Sequence, residues 1–448
     1  MMNTPICDFV RDYAKKNTLR LHMPGHKGAG ALGVESLDIT EIDGADVLYH
    51  SHGIIRESEE NATSLFGTGR TVYSTEGSSL GIRAMVYLAM VYAKTQGKTP
   101  KILAGRNAHK TFMTAVALLD LEVSWLVPEM QGSMISCLIS PEGLERALLA
   151  MEEMPVAVYL TDPDYLGNTL DLRSIAEVCH KYGVLLLVDN AHGAYRHFLS
   201  EPCHPIDLGA DLCCDSAHKT LPVLTGGAYL HISKDVSPFF ASPVYQAMSM
   251  FASTSPSYLT LQSLDSVNAY LSCGYTEKLR SFVPAVCELK ERLRQQGFVL
   301  VGNEALKLTI APKSYGYGGV DIAAYLEKAN IVCEFADPDY VVMMLTPEIG
   351  IDALDRLETV LSDLQRREPV AESAPLIPTT VVRMSVREAM FSPSTELPVE
   401  QCVGRILADA GITCPPAIPV VICGEEITAE AVSAMQYYGI TTCRVVCP

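Results

Sequence analysis

The chain contains the stretch Leu212-Cys213-Cys214-Asp215-Ser216-Ala217-His218-Lys219. It opens with an apolar run, Leu212–Cys214, that we interpret as a buried strand, and it ends on a lysine. Earlier in the chain, Gly183–Val188 is a second apolar run without a charge, and it leads into Asp189-Asn190-Ala191-His192. Each polar tetrapeptide thus follows a strand, so we take Lys219 and Asp189 together as the centre of a candidate site.

A lysine after one strand and an aspartate at the end of an earlier one are what pyridoxal 5'-phosphate requires of its protein. The lysine holds the cofactor as a Schiff base, and the aspartate keeps its pyridine nitrogen protonated. Alone, Lys219 would more simply be a surface lysine, and Asp189 could cap the next turn. A carboxylate at the mouth of a buried strand is costly unless paired, however, and a pyridinium N–H supplies the partner.

A third stretch provides a candidate phosphate site. Thr75-Glu76-Gly77-Ser78-Ser79 runs directly into a predicted helix, Ser78–Lys94. Gly77 allows close approach of the backbone, and the first N–H groups of the helix favour an anion. The hydroxyls of Ser78, Ser79 and Ser216 would add donors, although Ser78 is equally explained as an ordinary N-cap.

A fourth stretch, Arg106-Asn107-Ala108-His109-Lys110, follows the predicted strand Lys101–Ala104. His109 could stack on one face of the pyridine ring, with Ala191 packed under the other. Taken alone, His109 would be a polar residue of a loop.

The wider pattern predicts an α/β fold with a mostly parallel central sheet, helices on both faces and a smaller α+β C-terminal domain. Short apolar runs alternate with helical patterns from Ser78 to Ile232, and longer helices follow after Pro256. We divide the chain into an irregular N-terminal arm (1–60), a large cofactor-binding domain (61–255), a small α/β domain (256–368) and a C-terminal domain (381–448).

Composition excludes several classes of protein. The net charge of −18 argues against a nucleic-acid partner, which would require a basic face. Met1–Arg20 has no apolar core of a signal peptide, and no run approaches the ~18 apolar residues of a membrane span. We therefore expect a cytoplasmic protein without a membrane partner. The 14 cysteines lack C-x-x-C spacing, and His22, His26, His50 and His52 lie in an irregular arm, so we predict no metal site.

Together these motifs resemble the Orn/Lys/Arg decarboxylase family, a branch of the fold-type I (aspartate aminotransferase-like) pyridoxal-phosphate enzymes. Leu21-His22-Met23-Pro24-Gly25-His26-Lys27-Gly28 is similar to the family's opening signature, and Asp38-Ile39-Thr40-Glu41 to the segment after it. The Gly77-Ser78-Ser79 turn, Arg106–Lys110, Asp189–Gly193 and Ser216–Lys219 follow in the family's order.

The resemblance implies that Lys219 is the Schiff-base lysine, Asp189 the pyridinium partner and His109 the stacking ring. Ser78, Ser79, Ser216 and His218 would surround the phosphate, and Gly77, Ala191 and His192 complete the implied cofactor site. It also implies a homodimer with shared active sites that decarboxylates arginine, lysine or ornithine. We expect the product amine to serve polyamine synthesis, with acid resistance as the alternative.

Three departures from the family pattern leave the substrate open. Asp164 stands in Pro163–Gly167 where the family often has threonine, Gly226-Gly227 stands where many members have glutamine, and the tail reads Pro415-Pro416-Ala417-Ile418-Pro419. The acid for a basic substrate's distal end could be Glu41, Asp43, Asp46 or Glu425. Lys219, His218 and His192 are alternative proton donors to Cα.

Two rival functions remain at this point. An aminotransferase would share the cofactor site and clamp the substrate carboxylate with an arginine, for which Arg383 and Arg387 are available. The second rival is a non-catalytic protein that keeps the fold and only binds a ligand or partner. The intact Lys219, Asp189 and serine cluster argue against this rival.

Overall fold

The computed structural model describes residues 2–128, 133–410, 413–414 (backbone only) and 418–448. Pro415-Pro416-Ala417 of the tail motif lies outside the described residues. The chain divides into two compact units, one formed by 1–96 and 185–278 and the other by 97–184 and 279–448. The predicted domain boundaries remain predictions.

The helices of the described residues are α1 Pro5–Lys15, α2 Ile54–Leu65, α3 Ser78–Thr95, α4 Lys110–Leu119, α5 Pro141–Leu149, α6 Leu172–Lys181, α7 Ala217–Thr220, α8 Ser237–Phe240, α9 Val244–Ser249, α10 Tyr258–Leu271, α11 Tyr275–Gln295, α12 Gly319–Lys328, α13 Ile351–Ser362, α14 Val386–Phe391 and α15 Ala429–Tyr437. Short 3-10 helices cover Ala194–Phe198, Pro205–Leu208, Pro312–Tyr315, Pro347–Ile349 and Val399–Gln401.

The strands are β1 Arg70–Ser74, β2 Lys101–Gly105, β3 Glu122–Leu126, β4 Ala157–Thr161, β5 Leu185–Asp189, β6 Leu212–Asp215, β7 Ala228–Ile232, β8 Val299–Val301, β9 Lys307–Ala311, β10 Phe335–Ala336, β11 Val341–Met344, β12 Ser394–Pro398, β13 Thr413–Cys414, β14 Ile418–Pro419 and β15 Thr442–Val446.

In the first unit the strand order is β1, β7, β6, β5. β5 and β6 run parallel, whereas β7 runs antiparallel to both β6 and β1. Every residue of these four strands is buried. Burial on both faces explains why the apolar runs of β5 and β6 continue without polar alternation. α3 packs on β6 and β7 at Gly81, where a Cβ would lie only 3.1 Å from Cys214 Cβ. The small residue therefore allows the helix to approach the sheet closely.

In the second unit β2 lies between β3 and β4, and both pairings are parallel. β8 to β11 form a separate antiparallel sheet in the order β10, β11, β9, β8. The tail adds β12 paired with β15, and an apolar cluster that includes Leu407, Val421 and Met435 forms its core. The parallel pairs and interleaved helices confirm the predicted α/β class.

The N-terminal segment is more regular than expected. We predicted an irregular arm over residues 1–60, but α1 occupies Pro5–Lys15 and α2 begins at Ile54. Ile6 and Val10 stand four residues apart in α1 and are both fully buried, so one face of this helix is held by packing. None of the helices within the described ranges is long and apolar enough to cross a membrane.

Candidate active site

The parallel pairing of β5 with β6 places Asp189 beside Cys214 at the carboxyl ends of the two strands. Asp189 is buried, and its Oδ1 accepts hydrogen bonds from the Ala191 N–H at 3.2 Å and the Cys214 thiol at 3.8 Å. Burial raises the pKa of Cys214 well above its ordinary value, so the thiol stays protonated and able to donate. The carboxylate therefore lies at the sheet edge with donors around one of its oxygens.

Lys219 reaches the same edge from the next strand along. It lies in α7, the single helical turn that follows β6. Its Nζ is 3.1 Å from Nε2 of His192, which belongs to the turn after Asp189. The first unit thus brings together Lys219, His192 and the strand end that carries Asp189, as the spacing of the two tetrapeptides suggested.

The stretch that we predicted to bind phosphate lies at the start of α3. The N-cap is Gly77 rather than Ser78, because φ of +73° lets the chain turn sharply into the helix there. Gly77 has no side chain that could cap the first N–H groups of α3, and such groups at a helix start favour an anion. Ser216 Oγ donates to Ser78 Oγ at 2.8 Å, so two of the three hydroxyls that we predicted for the phosphate lie together.

The glycine pair that departs from the family pattern supports this turn. Gly226 O accepts the N–H of Gly77 at 2.7 Å, and φ of Gly226 is +97°. A Cβ on Gly226 would lie 2.6 Å from the carbonyl oxygen of Thr75. Gly227 O accepts from Nδ1 of His218 at 2.9 Å, which orients that imidazole. Sequence reasoning recorded these glycines as a departure and missed that the turn requires them.

His109 lies in the second unit, immediately before α4. Its Nδ1 accepts the N–H of Thr111 at 3.2 Å, and Thr111 Oγ1 lies 2.9 Å from the same nitrogen. The ring therefore caps the helix through one nitrogen, and its predicted stacking on the pyridine ring stays a prediction.

The loop that carries His109 is tied to the tail of the same unit. The Arg106 guanidinium donates to both carboxylate oxygens of Glu425, at 3.3 and 3.1 Å, and also to Val420 O. Both side chains are largely buried, and Glu425 accepts the Ile422 N–H as well. Sequence reasoning missed this pair, and it argues against Glu425 as the acid for a substrate's distal end.

Asp46, another candidate for the acid that binds the substrate's distal end, is also engaged in other hydrogen bonds. Its carboxylate accepts the backbone N–H groups of His52, Gly53 and Ile55 at 2.8 to 3.1 Å, at the start of α2. Glu41 and Asp43, by contrast, are exposed. Asp46 and Glu425 are thus engaged in other contacts, and Glu41 and Asp43 remain as candidates for the acid that binds the substrate's distal end.

The donor set fits pyridoxal phosphate. The start of α3 with Ser78 and Ser216 suits a phosphate, Asp189 suits a protonated ring nitrogen, and Lys219 provides an amine. All of these groups belong to the first unit and follow the carboxyl ends of β1, β5 and β6. Their chemistry matches a ligand with an anion, a basic nitrogen and an aldehyde.

Solved structures show which fold this chain has. The lysine decarboxylase of Francisella novicida superposes with a TM-score of 0.80 over 99% of this chain and 81% of that one, at 16% identity. Enzymes of that class have the fold-type I architecture, which confirms the predicted fold.

Sequence comparison then defines the family. The profile of the Orn/Lys/Arg decarboxylase major domain matches residues 4–312. The arginine decarboxylase of Halalkalibacterium halodurans is 32% identical, covering 95% of this chain and 91% of the relative, and that of Bacillus subtilis is 31% identical, covering 96% and 92%. The chain belongs to the Orn/Lys/Arg decarboxylase family, and it is an amino-acid decarboxylase.

Proposed function

We propose that this decarboxylase uses pyridoxal phosphate and acts on arginine. The proposal depends on one observation: Lys219 contacts the turn that follows Asp189. Its Nζ lies 3.1 Å from Nε2 of His192 in that turn. Arginine is preferred over lysine and ornithine because relatives that match nearly the whole chain at 31 and 32% identity are arginine decarboxylases. The lysine decarboxylase structure, at 16% identity, supports the fold alone.

When bound, pyridoxal phosphate supplies an electron sink for the bond between Cα and the carboxylate. Lys219 would hold its aldehyde carbon covalently until substrate replaces the lysine. Ser78, Ser79 and Ser216 would bind the phosphate at the start of α3, with Gly77 shaping the turn. Asp189 would hold a proton on the ring nitrogen, with Ala191 against one ring face.

The proton that Cα needs after carbon dioxide leaves has a candidate source in the pair of Lys219 and His192. Their contact of 3.1 Å lets a proton pass between Nζ and Nε2. His218 is less suited to donate a proton through Nδ1, because that nitrogen already donates a hydrogen bond to Gly227 O. We therefore assign the proton to Lys219, with His192 as its hydrogen-bond partner.

We further propose a homodimer in which the arm contributes to the active site, with the product amine entering polyamine synthesis. Three leucine side chains of the arm are largely exposed: Leu19 (80%), Leu21 (83%) and Leu32 (83%). So much exposed apolar surface in one short segment is typical of an interface with another protein chain. Glu41 and Asp43 follow on the same arm and are exposed. Either carboxylate could pair with the substrate's guanidinium.

The aminotransferase alternative is less well supported. Arg387 donates to Ala117 O at 2.7 Å, and Arg383 pairs with Glu426 at 2.8 Å. Both candidate clamps thus have partners in the second unit. A decarboxylase has no need of such a clamp, because it gains from a weakly stabilised substrate carboxylate.

The test is carbon dioxide release by the cofactor-loaded protein, given arginine, lysine and ornithine in parallel. We expect release from arginine and its loss in Lys219→Ala. Release from lysine or ornithine alone would overturn the substrate assignment. Keto-acid formation without carbon dioxide would overturn the reaction in favour of transamination.

A further inference from the structure

A buried carboxylate that the proposed chemistry does not use lies directly before the Ser216–Lys219 segment. Asp215 is fully buried at the end of β6. Its Oδ1 accepts from Asn190 Nδ2 at 2.7 Å and from the Cys213 thiol at 3.5 Å. Its Oδ2 lies 2.9 Å from His204 Nε2 and 3.1 Å from His231 Nε2. An uncompensated buried charge is very costly, and here four donors surround it.

The two histidines and Asp215 also have the composition of a metal site, with their ligand atoms within 4.8 Å of one another. The hydrogen bonds argue against that reading. His204 Nδ1 accepts the Ile206 N–H, so in the neutral ring Nε2 carries the proton and donates to Asp215. A metal ion would have to displace that proton.

The charge states agree with a network of donors around an anion. Burial alone would raise the pKa of Asp215, but the imidazoles of His204 and His231 hold it well below its ordinary value. Burial lowers the pKa of His231, which keeps this ring neutral although Asp215 opposes the shift. Thr71 Oγ1, 2.9 Å from His231 Nδ1, can donate to that nitrogen.

Asn190 connects this network to the candidate cofactor site. Side chains alternate along a strand, so Asp215 faces away from Cys214, whose thiol reaches Asp189. Asn190 directly follows Asp189, and its backbone N–H donates to Cys214 O at 3.0 Å. Its amide Nδ2 bonds to Asp215, whereas Oδ1 is buried and has no hydrogen-bond partner among the described residues. The contact with Asp215 therefore sets the orientation of the amide.

We propose that Asp215 is a positioning residue: through the Asn190 amide it holds the turn 189–193 in register with the segment that carries Lys219. The turn carries Asp189 for the ring nitrogen and His192 for Lys219. One buried anion thus joins both strand ends from the face of the sheet opposite Cys214. The inference rests on the cofactor of the proposed function.

The test compares two buried asparagines in the same unit. Asn190→Ala removes the bond to Asp215 but leaves both histidines on the carboxylate. Asn268→Ala is the matched control, since Asn268 is fully buried, donates to Tyr73 OH at 2.7 Å and likewise has an Oδ1 without a described partner. Each variant is titrated with pyridoxal phosphate while the visible absorbance gained on reaction with Lys219 is followed as a function of pH.

We expect both variants to melt at a lower temperature than the parent protein. Only Asn190→Ala should weaken cofactor binding, by about tenfold, and shift the pH at which the visible band titrates. Equal melting losses with unchanged binding and pH in Asn190→Ala would overturn the inference and leave the proposed function standing. If the parent protein gains no visible band, the cofactor assignment and the inference fail together.

If Asn190→Ala does not fold, Asn190→Ser replaces it. The serine hydroxyl is shorter than the amide and does not span the same distance, so the same loss of affinity and the same spectral shift are expected. Parent-like affinity in this variant would contradict the inference.

Discussion

Gly226 allows two backbone segments of the candidate site to approach more closely than a side chain would permit. Gly226 combines φ of +97° with a would-be Cβ 2.6 Å from Thr75 O, while its own carbonyl accepts from Gly77. Backbone strain and a steric clash would therefore act at the same position. The turn that precedes α3 depends on the absence of a side chain at Gly226.

Gly226→Ala should weaken binding of pyridoxal phosphate by at least about tenfold and lower stability by about 1–3 kcal/mol. The physical reason is the forced separation of Gly226 from the turn at Gly77. Titration with the cofactor and chemical denaturation check the two effects.

Gly274→Ala provides the control, because φ of Gly274 is +84° but a Cβ there would meet no described atom within 4 Å. It should cost stability through its backbone alone and leave cofactor affinity unchanged. Equal affinity in the two variants would contradict the role given to Gly226.

Elements of the second unit are held together by contacts between distant parts of the chain. The loop after β2 is bound by the tail through Arg106 and Glu425, a pair with side-chain exposures of 11 and 6%. Removing one partner of such a pair leaves the other charge buried without compensation. The tail therefore stabilises the segment that presents His109.

Glu425→Gln should lower the free energy of unfolding by about 3–5 kcal/mol, measured by urea denaturation. The neighbouring Glu426 pairs with Arg383 at 2.8 Å, but these side chains are 32 and 54% exposed. Glu426→Gln should therefore cost less than about 1 kcal/mol. Similar losses in both variants would show that burial does not set the strength of the Arg106 pair.

The Asp215 network predicts how stability depends on pH. Burial lowers the pKa of His231 below its ordinary value of 6.5, so the unfolded chain takes up a proton near that pH before the folded one does. The stability that the neutral ring contributes is present above pH 6.5 and falls as the pH falls. Thermal melting between pH 8 and 5.5 should show a shallower decline in His231→Gln than in the parent protein. Parallel declines would contradict the neutral state of this ring.

At the scale of the whole chain, the part of the N-terminal arm from Leu19 to Leu32 carries several exposed apolar side chains. Met23, at 55% exposure, adds to the bare leucines of the same segment. Burying such surface against a second copy would gain roughly 25 cal/mol per Å². The proposed dimer follows from this surface together with the resemblance to the family.

Replacing Leu19 and Leu21 with serine should shift the mass measured by light scattering from dimer towards monomer. Decarboxylation should fall with it if the arm contributes to the active site of the second copy. Val332→Ser is the control, since Val332 is 85% exposed but lies far from the arm in sequence. A parent protein that is already monomeric would contradict the proposal.

Much of this protein could be predicted because the relevant signals are local. The apolar runs at β5, β6 and β7, the helix α3 and the polar tetrapeptides after the strands follow from the neighbours of each residue along the chain. The predicted runs Lys101–Ala104, Gly183–Val188 and Leu212–Cys214 each end one residue before the corresponding strand does. The family resemblance rests on the same local motifs.

Contacts between residues that are not neighbours along the chain could be found only in the folded structure. The pairing of Arg106 with Glu425, the capping of α2 by Asp46 and the histidines around Asp215 join segments that no pattern along the chain connects. α1 and α2 were missed for a related reason, because buried faces against the rest of the unit hold them. The sequence by itself thus determines the strands and the chemistry of the motifs, because these depend on neighbouring residues. Only the tertiary structure shows that Asp46 and Glu425 are engaged in other contacts whereas Glu41 and Asp43 are exposed, because burial and hydrogen bonds depend on the folded chain.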